Sequence, residues 1–344
     1  MHNSPLLSEF LTETDTQIRV FDLGRRVQKL SLSDFQQFER AEKPYAFPFE
    51  QNAWLGILFW NVKDKTQHNI WFIRMPLDET GCIQLSARDE FMHMLLSRLG
   101  DHIQDNNDSE NLAHVLKDNP YVFKPTEEKM AVFHSKAQLI LKQDPSKYFE
   151  QTISYLEAKN YEQWQTIGLQ GIADLVVRLD DHKTRTLLIK ALAELPNEVF
   201  AAICQCLENQ ICSVDLAQAI KKRIDAAEDE SSLANGIRAL ARCESKRFTE
   251  NMVQDILTRL KPNQSIVLVA IIAKSWEVLN DQTILKQFLE RLAINQSGPE
   301  LFNALIMDLM FIPGFREKVL AEFRDTQRSE NLSIAVGQFF QSMH

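Results

Sequence analysis

The C-terminal part of the chain repeats one pattern of residue sizes every 34 residues. A small residue followed by a large apolar one recurs at that interval, and once more after 31 residues, at Gly168-Leu169, Ala202-Ile203, Gly236-Ile237, Ala270-Ile271, Ala304-Leu305 and Ala335-Val336. Three positions before each small residue the chain carries an apolar residue, except at Gln165. Because residues i, i+3 and i+4 share one helix face, the pattern predicts a series of similar helices.

Gly236 lies in the middle of one of these helices, in the stretch NGIRALARC. A glycine inside a helix costs about 1 kcal/mol relative to alanine, so a favourable contact should offset it. A small residue lets two helix backbones approach closely where they cross. We therefore expect positions 168, 202, 236, 270 and 304 to lie at buried helix crossings.

The segments between these helices are amphipathic as well, and they pair with them into helical hairpins. The predicted pairs are 144–160 with 161–179, 182–195 with 196–210, 213–227 with 230–243, 247–260 with 263–279, 281–293 with 298–310, and 315–327 with 329–343. Proline or glycine marks many of the breaks, and Asp, Asn or Ser often stands where a helix N-cap would lie. Six units of about 34 residues predict an all-α solenoid over 127–344, with 127–143 as its first, capping helix.

The repeat length resembles that of tetratricopeptide proteins, and Trp164-x-x-Ile167-Gly168 is similar to the opening motif of that family. The family also has a second small residue twelve positions further on, where this chain has Asp180 in the first unit and Val214 in the second. The array is therefore identified as tetratricopeptide-like or HEAT-like. No binding residue is carried over from either family.

Residues 1–100 have a different pattern, which predicts an α+β domain with a small antiparallel sheet in the order ββαββα. Strands are predicted at 17–23, 25–31, 53–62 and 69–77, with helices at 31–42 and 87–100. Alternating and aromatic-rich segments favour strands, and amphipathic ones favour helices. Residues 101–126 are polar and are predicted to be a linker with one short helix. Trp54, Trp60 and Trp71 fall in the strands and are predicted to be sheet core or domain interface.

Four segments, RVFDLGRRVQKLS, DFQQFE, PYAFPFE and AWLGILFW, together resemble an uncharacterised bacterial family of unknown function over its full length. The resemblance implies no activity, but it implies a bacterial cytosolic setting. The N-terminus has no secretory pattern, and the apolar runs are shorter than the ~20 residues of a membrane span. Five cysteines, an odd number, are typical of a reducing compartment. We expect a cytoplasmic protein.

The net charge of −9 comes from 38 Lys and Arg against 47 Asp and Glu. Nonspecific binding to phosphate backbones needs a basic surface, so this composition argues against nucleic acid as a partner. Without a membrane segment, we expect no membrane partner either. The chain also lacks a glycine-rich phosphate loop and a dinucleotide fingerprint, and we expect no cofactor.

Cysteine and histidine residues form two groups that resemble parts of metal sites. Cys204 and Cys206 are two residues apart on a predicted helix, so they point about 200° apart and cannot share a metal with Cys212. His102 and His114 lie near several aspartates, but their spacing matches no zinc motif. The cysteines are predicted to be packing thiols.

One polar segment resembles the beginning of a calcium-binding loop. Asp105, Asn107 and Ser109 match the first ligand positions of an EF-hand. Glu110 stands where that loop needs glycine, and Leu116 stands where it needs a bidentate glutamate. We therefore expect neither calcium nor zinc to be bound.

Two functions remain open from the sequence. The first is a non-catalytic scaffold or adaptor whose solenoid binds a protein or peptide, with the N-terminal domain as a second contact. The second is an enzyme whose active site lies in the N-terminal α+β domain, with the solenoid recruiting the substrate. The lack of a nucleophile or acid–base cluster favours the scaffold.

The first helix of each hairpin keeps the broader polar face and is predicted to line the partner-facing groove. Polar residues of two regions are predicted to contact the partner, namely Arg185, Lys221, Lys222, Gln254 and Lys286 in the solenoid and Arg25 and Arg26 at the first hairpin. The arginine pair beside Gly24 would suit an anionic group, while a charged hairpin end is the alternative.

Overall fold

The computed structural model describes residues 5–12, 15–104, 116, 118–227 and 229–342. The chain divides into two compact units, the first formed mainly by residues 1–126 and the second mainly by residues 127–344. Within the described residues, no helix is both long enough and apolar enough to cross a membrane.

The first unit contains an antiparallel sheet with the strand order β2-β1-β3-β4. Its strands are β1 (Thr16–Asp22), β2 (Gln28–Leu30), β3 (Asn52–Asn61) and β4 (Asp64–Pro76). β3 and β4 form the longest pairing, with an irregularity between Trp60 and Asn61. β2 has only three residues and lies at one edge of the sheet.

Three helices belong to the first unit, namely α1 (Leu7–Thr12), α2 (Leu32–Glu39) and α3 (Leu85–Gln104). All three contribute to one core with the sheet, which includes Leu11, Phe35, Ile57, Trp71 and Phe91. The alternating side chains of a strand point to opposite faces, so one face of the sheet supplies most of this core. The predicted α+β class of the N-terminal domain is confirmed.

The element boundaries of this unit differ from the prediction in several places. Strand β2 begins only at Gln28, three residues after the predicted start. Helix α1 was not predicted, because it has only six residues and too few for a periodic pattern. β4 begins at Asp64, in the segment that separates the strands predicted at 53–62 and 69–77. Helix α3 continues to Gln104, into the predicted linker. The short helix predicted within that linker falls largely on residues outside those that the structure describes.

The regular elements of the second unit are helices throughout its described residues, apart from one isolated β-bridge. Its helices are α4 (Glu127–Leu141), α5 (Lys147–Ala158), α6 (Leu169–Val177), α7 (His182–Ala191), α8 (Asn197–Leu207), α9 (Val214–Asp225), α10 (Glu230–Leu240), α11 (Lys246–Arg259), α12 (Ser265–Lys274), α13 (Gln282–Ala293), α14 (Pro299–Phe311), α15 (Arg316–Arg324) and α16 (Glu330–Ser342). These helices match the predicted hairpins, and the helical solenoid is confirmed.

The helices are arranged in two layers. Helices α4, α6, α8, α10 and α12 pack side by side in that order and form the inner row. Helices α5, α7 and α9 pack in sequence in the other layer, as do α11 and α13. Aspartates cap several helices as predicted, since the side chains of Asp181, Asp229 and Asp281 accept hydrogen bonds from backbone N–H groups of the first turn.

The predicted crossing is present at Gly236, where a Cβ atom would lie 2.5 Å from Ile224 Cδ1 of α9. The prediction also holds at Ala270, which is buried. It is wrong at Ala304, which is exposed, and at Ala202, which is only half-buried. In these two repeats the large residue of the small-large pair is buried, whereas the small residue lies at the margin of the packed helix face.

In the first repeat the two helices approach each other closely three residues later than predicted. Gly168 is the N-cap of α6, and a Cβ atom there would meet nothing within 4 Å. At Gly171, one turn further on, a Cβ atom would lie 2.5 Å from the Tyr148 carbonyl oxygen of α5. Trp164 lies in a short 3₁₀ segment (Tyr161–Thr166) before α6, which explains the shift.

Candidate functional site

A cleft of about 200 Å³ lies beside the edge strand β2 in the first unit. Its apolar wall consists of Phe35 and Phe38 from α2 and of Tyr45 and Phe47 from the segment before β3. The rings of Phe38 and Tyr45 have centroids 5.0 Å apart, and Tyr45 meets Phe47 edge to face at 6.2 Å. An aromatic wall of this kind is typical of a site for an apolar side chain.

The rim of the cleft is polar and carries an excess of positive charge. Lys43 Nζ lies 2.7 Å from Asp34 Oδ1, and Ser31 Oγ donates to Asp34 Oδ2 at 2.6 Å. These hydrogen bonds hold the pKa of Asp34 below its usual value, with the larger contribution from Lys43. Lys29 is exposed at the same rim. The charges of Lys43 and Asp34 cancel, so Lys29 gives the rim its net charge.

The floor of the cleft connects to a buried polar network. Tyr45 Oη donates to Asp22 Oδ1 at 2.8 Å, and the backbone N–H groups of Gly24 and Arg26 donate to the same carboxylate at 3.1 and 3.3 Å. Burial is the main cause that raises the pKa of Tyr45, with the neighbouring Asp22 as a further cause. Asp22 is fully buried. The network thus holds the turn between β1 and β2 in place.

Arg25 and Arg26 belong to this interior network, which corrects the prediction that they bind a partner at a hairpin end. Their exposed fractions are 1% and 2%. Arg25 Nε donates to the Pro48 carbonyl oxygen at 2.8 Å. The turn between the strands spans 23–27 and is buried over its whole length, so neither guanidinium is available to an external ligand.

The tryptophans of the sheet differ in their surroundings. Trp60 and Trp71 are buried, and Trp71 meets Phe59 edge to face at 4.7 Å. Trp54 is half-buried and meets Phe123 edge to face, with ring centroids 4.8 Å apart. For Trp71 the predicted sheet-core position is confirmed.

In the solenoid, three of the predicted partner-binding cations form ion pairs with carboxylates of the same unit. Arg185 Nε lies 3.3 Å from Asp215 of the next repeat. Lys221 Nζ lies 2.5 Å from Asp225 on the same helix. Lys286 Nζ lies 2.6 Å from Asp325 Oδ2, and this hydrogen bond raises the pKa of Lys286. Arg185 and Lys286 connect different helices and Lys221 is paired within α9, so each of the three already has a carboxylate partner.

The other two predicted solenoid residues lie on the same layer. Lys222 is exposed on α9, and Gln254 is half-buried on α11. An ion pair between Arg259 and Asp225 joins these two helices at 3.5 Å. Lys222 is therefore the predicted residue with the most accessible charge.

A buried carboxylate in the inner row was not predicted. Glu208 follows α8 and is 3% exposed. It accepts from Arg238 Nε of α10 at 2.8 Å and pairs with Lys274 Nζ of α12 at 2.7 Å. Three successive inner helices are thus joined at one carboxylate. Arg238 lies 30 residues after Glu208, and Lys274 lies 36 residues after Arg238. Both spacings are close to the repeat length, and this was the sequence signal that could have indicated the cluster.

Lys136 on α4 has the most strongly perturbed side-chain amine among the described residues. Its Nζ donates to the Asn209 carbonyl oxygen at 2.6 Å and to Gln210 Oε1 at 3.2 Å. Burial lowers its pKa to about 7, and the neighbouring Arg242 contributes. Cations suit the carbonyl groups at a helix C-terminus, so Lys136 serves as a cap for α8.

The cysteines predicted to be packing thiols are buried. Cys204 and Cys206 lie in α8, and Cys212 lies between α8 and α9. All three are fully buried, and burial raises the pKa of each thiol. Among the residues that the structure describes, no three His, Cys, Asp or Glu side chains are grouped as metal ligands. The calcium-like segment 105–109 and His114 lie outside the described residues.

Comparison with curated proteins and comparison with solved structures each found no match to the chain. A family model described as a protein of unknown function (DUF3549) matches residues 5–340. This match covers both compact units and agrees with the full-length family resemblance inferred from the N-terminal segments. The chain therefore belongs to the DUF3549 family of proteins of unknown function.

Proposed function

We propose that this protein is a non-catalytic interaction scaffold that binds a protein or peptide partner. The cleft beside β2 is the observation that carries the proposal. Its aromatic wall is shared by α2 and the segment 44–47, and its volume suits one large apolar side chain. Peptide-binding sites commonly combine an apolar pocket with a neighbouring sheet edge, and β2 is such an edge.

The charge of the rim indicates the kind of segment that fits. An apolar residue inserted against Phe38 and Tyr45 would place its neighbours beside Lys29. A carboxylate at that position would meet the cation whose charge Asp34 does not balance. We propose an extended segment with one aromatic or leucine side chain next to an acidic residue.

The solenoid would supply the second contact, on the layer of first helices. Lys222 and Gln254 support this role because they lie on that layer with accessible polar groups. Arg185, Lys221 and Lys286 would contribute less, since binding an acidic partner would compete with their existing ion pairs. The setting that we propose is the bacterial cytoplasm, which the odd number of cysteines supports.

Selection of random twelve-residue peptides displayed on phage, with the full chain as bait, tests the proposal. We expect the enriched peptides to share an aromatic or leucine residue beside an acidic one. Ala46 is exposed at the cleft, so Ala46→Trp should fill the pocket and weaken binding of an enriched peptide at least tenfold by fluorescence polarisation.

Val62→Trp is the matched control, because Val62 is 51% exposed and is not part of the cleft. It adds a ring of the same size and should leave the peptide affinity within twofold. Equal binding by the wild type and Ala46→Trp would contradict the cleft. If Lys221→Glu with Lys222→Glu weakened the same peptide instead, the binding surface would lie on the solenoid.

A further inference from the structure

The segments that follow α8 and α10 meet in a short parallel β-bridge between Cys212 and Cys243. The Cys212 N–H donates to the Arg242 carbonyl oxygen at 3.0 Å, and the Glu244 N–H donates to the Cys212 carbonyl oxygen at 2.9 Å. These two bonds flank Cys243 on both sides. The two cysteines, from successive repeats, are thus directly opposite one another.

The backbone geometry of this bridge suits a disulfide. Paired β segments lie about 4.7–4.9 Å apart, and disulfide-linked Cα atoms usually lie about 4.4–6.8 Å apart. The side chains of directly opposite residues point to the same face of the pair. Both cysteines carry free thiols in the structure. At such a Cα spacing the two sulfurs can form an S–S bond, which would replace the weak hydrogen bond from Cys212 Sγ to the Ser213 carbonyl oxygen at 3.6 Å.

We propose that Cys212 and Cys243 are a redox modification site, which a hydroperoxide converts into a reversible disulfide between successive repeats. The proposal does not depend on the proposed binding function. Its consequence is a covalent connection between the α7–α8 hairpin and the α9–α10 hairpin.

The two thiols differ in access, which sets the order of the reaction. Cys243 is half-buried, whereas Cys212 is fully buried. Burial raises the pKa of the Cys243 thiol, while hydrogen bonds from Ser245 and Thr249 oppose that rise. A dissolved oxidant would therefore reach Cys243 first, because its thiol is the more accessible of the two.

The reaction needs two steps and one equivalent of hydroperoxide. The Cys243 sulfur attacks one peroxide oxygen, so an S–O bond forms, the O–O bond breaks, and water leaves when the oxidant is hydrogen peroxide. The Cys212 sulfur then attacks the Cys243 sulfenic acid, so an S–S bond forms and the S–O bond breaks. The hydroxyl takes the Cys212 proton and leaves as a second water. Two thiols are oxidised and one peroxide is reduced.

Treatment of the reduced full chain with hydrogen peroxide tests this assignment. Remaining thiols are alkylated after unfolding, and the non-reduced digest is mapped by mass spectrometry. We expect the predominant cross-linked peptide to join Cys212 to Cys243, and dithiothreitol to reverse it. Cys243→Ser should abolish the cross-link, and Cys212→Ser should leave a Cys243 sulfenic acid that dimedone traps.

Cys82→Ser is the matched control, since Cys82 is a half-buried thiol in the first unit. This variant should form the cross-link to the same extent as the wild type. Circular dichroism verifies that each variant retains its helices. Oxidation of the wild-type Cys243 to sulfinic acid without a cross-link would overturn the proposal. So would unreacted thiols, or a predominant cross-link between Cys204 and Cys212.

Discussion

Gly236 has a defined role at the residue scale, because its missing side chain makes room for Ile224 of α9. A Cβ atom would lie 2.5 Å from Ile224 Cδ1 and 2.9 Å from Ile224 Cγ2. We expect Gly236→Ala to lower the free energy of unfolding by about 1–3 kcal/mol through overpacking, as measured by urea unfolding. Adding Ile224→Val removes the Cδ1 clash and should recover part of that loss.

Gly337 on α16 is the matched control for this substitution. It also lies inside a helix, and a Cβ atom there would meet nothing within 4 Å. Gly337→Ala should therefore raise the free energy of unfolding by about 0.5–1 kcal/mol, through helix propensity alone. Effects of the same sign at both positions would contradict the close crossing at Gly236.

Glu39 gives the first unit a dependence on pH. Its carboxylate accepts hydrogen bonds from the N–H groups of Leu7 and Ser8 at the beginning of α1. Burial raises its pKa from 4.5 to about 7, although these hydrogen bonds oppose the rise. Below pH 4.5 both the folded and the unfolded chain hold the proton. Between pH 4.5 and 7 the unfolded chain loses it first, so stability falls as the pH rises.

We expect this loss to reach about 3 kcal/mol at pH 7.5. Glu39→Gln keeps an oxygen acceptor for the two N–H groups and removes the ionisable proton. The variant should show a free energy of unfolding that depends less on pH between 4.5 and 7.5, measured by urea titration against the wild type. Parallel pH profiles for the two proteins would show that Glu39 titrates normally.

Single residues of the candidate site were the hardest features to predict. The arginines at 25 and 26 resemble an exposed hairpin end, because charged residues beside a glycine usually lie at a surface turn. Asp22 reverses that expectation, since its buried carboxylate binds the turn backbone and Tyr45 from a distant segment. A contact across 23 residues leaves no local pattern in the sequence. Phe35 and Phe38 lie in the helix predicted at 31–42, but no sequence pattern indicated that the segment 44–47 completes the cleft.

At the scale of helices, the solenoid was largely predictable because each hairpin repeats the same local pattern. The boundaries of α7 to α16 follow the predicted segments, because caps and prolines punctuate them. The exception is α12, which ends at Lys274 and is followed by a separate 3₁₀ segment (Trp276–Asn280) inside the helix predicted over 263–279. The first repeat deviates because the 3₁₀ segment before α6 shifts its register. Strand β4 was harder to delimit, since its first residues, KTQH, resemble a polar turn.

Glu208 should be essential to the packing of the inner helices. It is 3% exposed and forms ion pairs with both Arg238 and Lys274. Removing one partner of a buried ion pair leaves an uncompensated charge, so we expect Glu208→Gln to lower the free energy of unfolding by about 3 kcal/mol. Thermal and urea unfolding measure the loss.

Glu250→Gln is the control for this prediction. Glu250 pairs with Lys246, whose side chain is 69% exposed. Exposed pairs one helical turn apart contribute about 0.3–0.5 kcal/mol, so this variant should unfold almost like the wild type. Equal losses for both variants would contradict a special role of Glu208.

At the scale of the whole molecule, the stability of the second unit should vary along the helix array. Helices α8 and α10 pack against inner-row neighbours on both sides, whereas the main packing neighbour of α16 among the described residues is α13. In a solenoid, stability comes from each repeat and its nearest neighbours. We expect hydrogen exchange, followed by mass spectrometry, to be slowest in α8 and α10 and faster in α16.

The Glu208→Gln variant provides an internal test of that gradient. It should accelerate exchange in α8, α10 and α12, which Glu208 joins, and leave α15 and α16 almost unchanged. A uniform acceleration over the whole second unit would instead show that the array unfolds as a single cooperative block.

The ion pairs between repeats determine how freely this array can be edited. The partners of Arg185, Arg259 and Lys286 lie 30, 34 and 39 residues away, so no single spacing applies throughout. An engineer who deleted or duplicated one hairpin would leave charged groups without their counterparts, above all at Glu208. Consensus repeat proteins consist of nearly identical repeats, so a repeat can be added without the loss of matching contacts. In this molecule the charged residues of each repeat match only those of its own neighbours, so the described hairpins cannot be freely added, removed or exchanged.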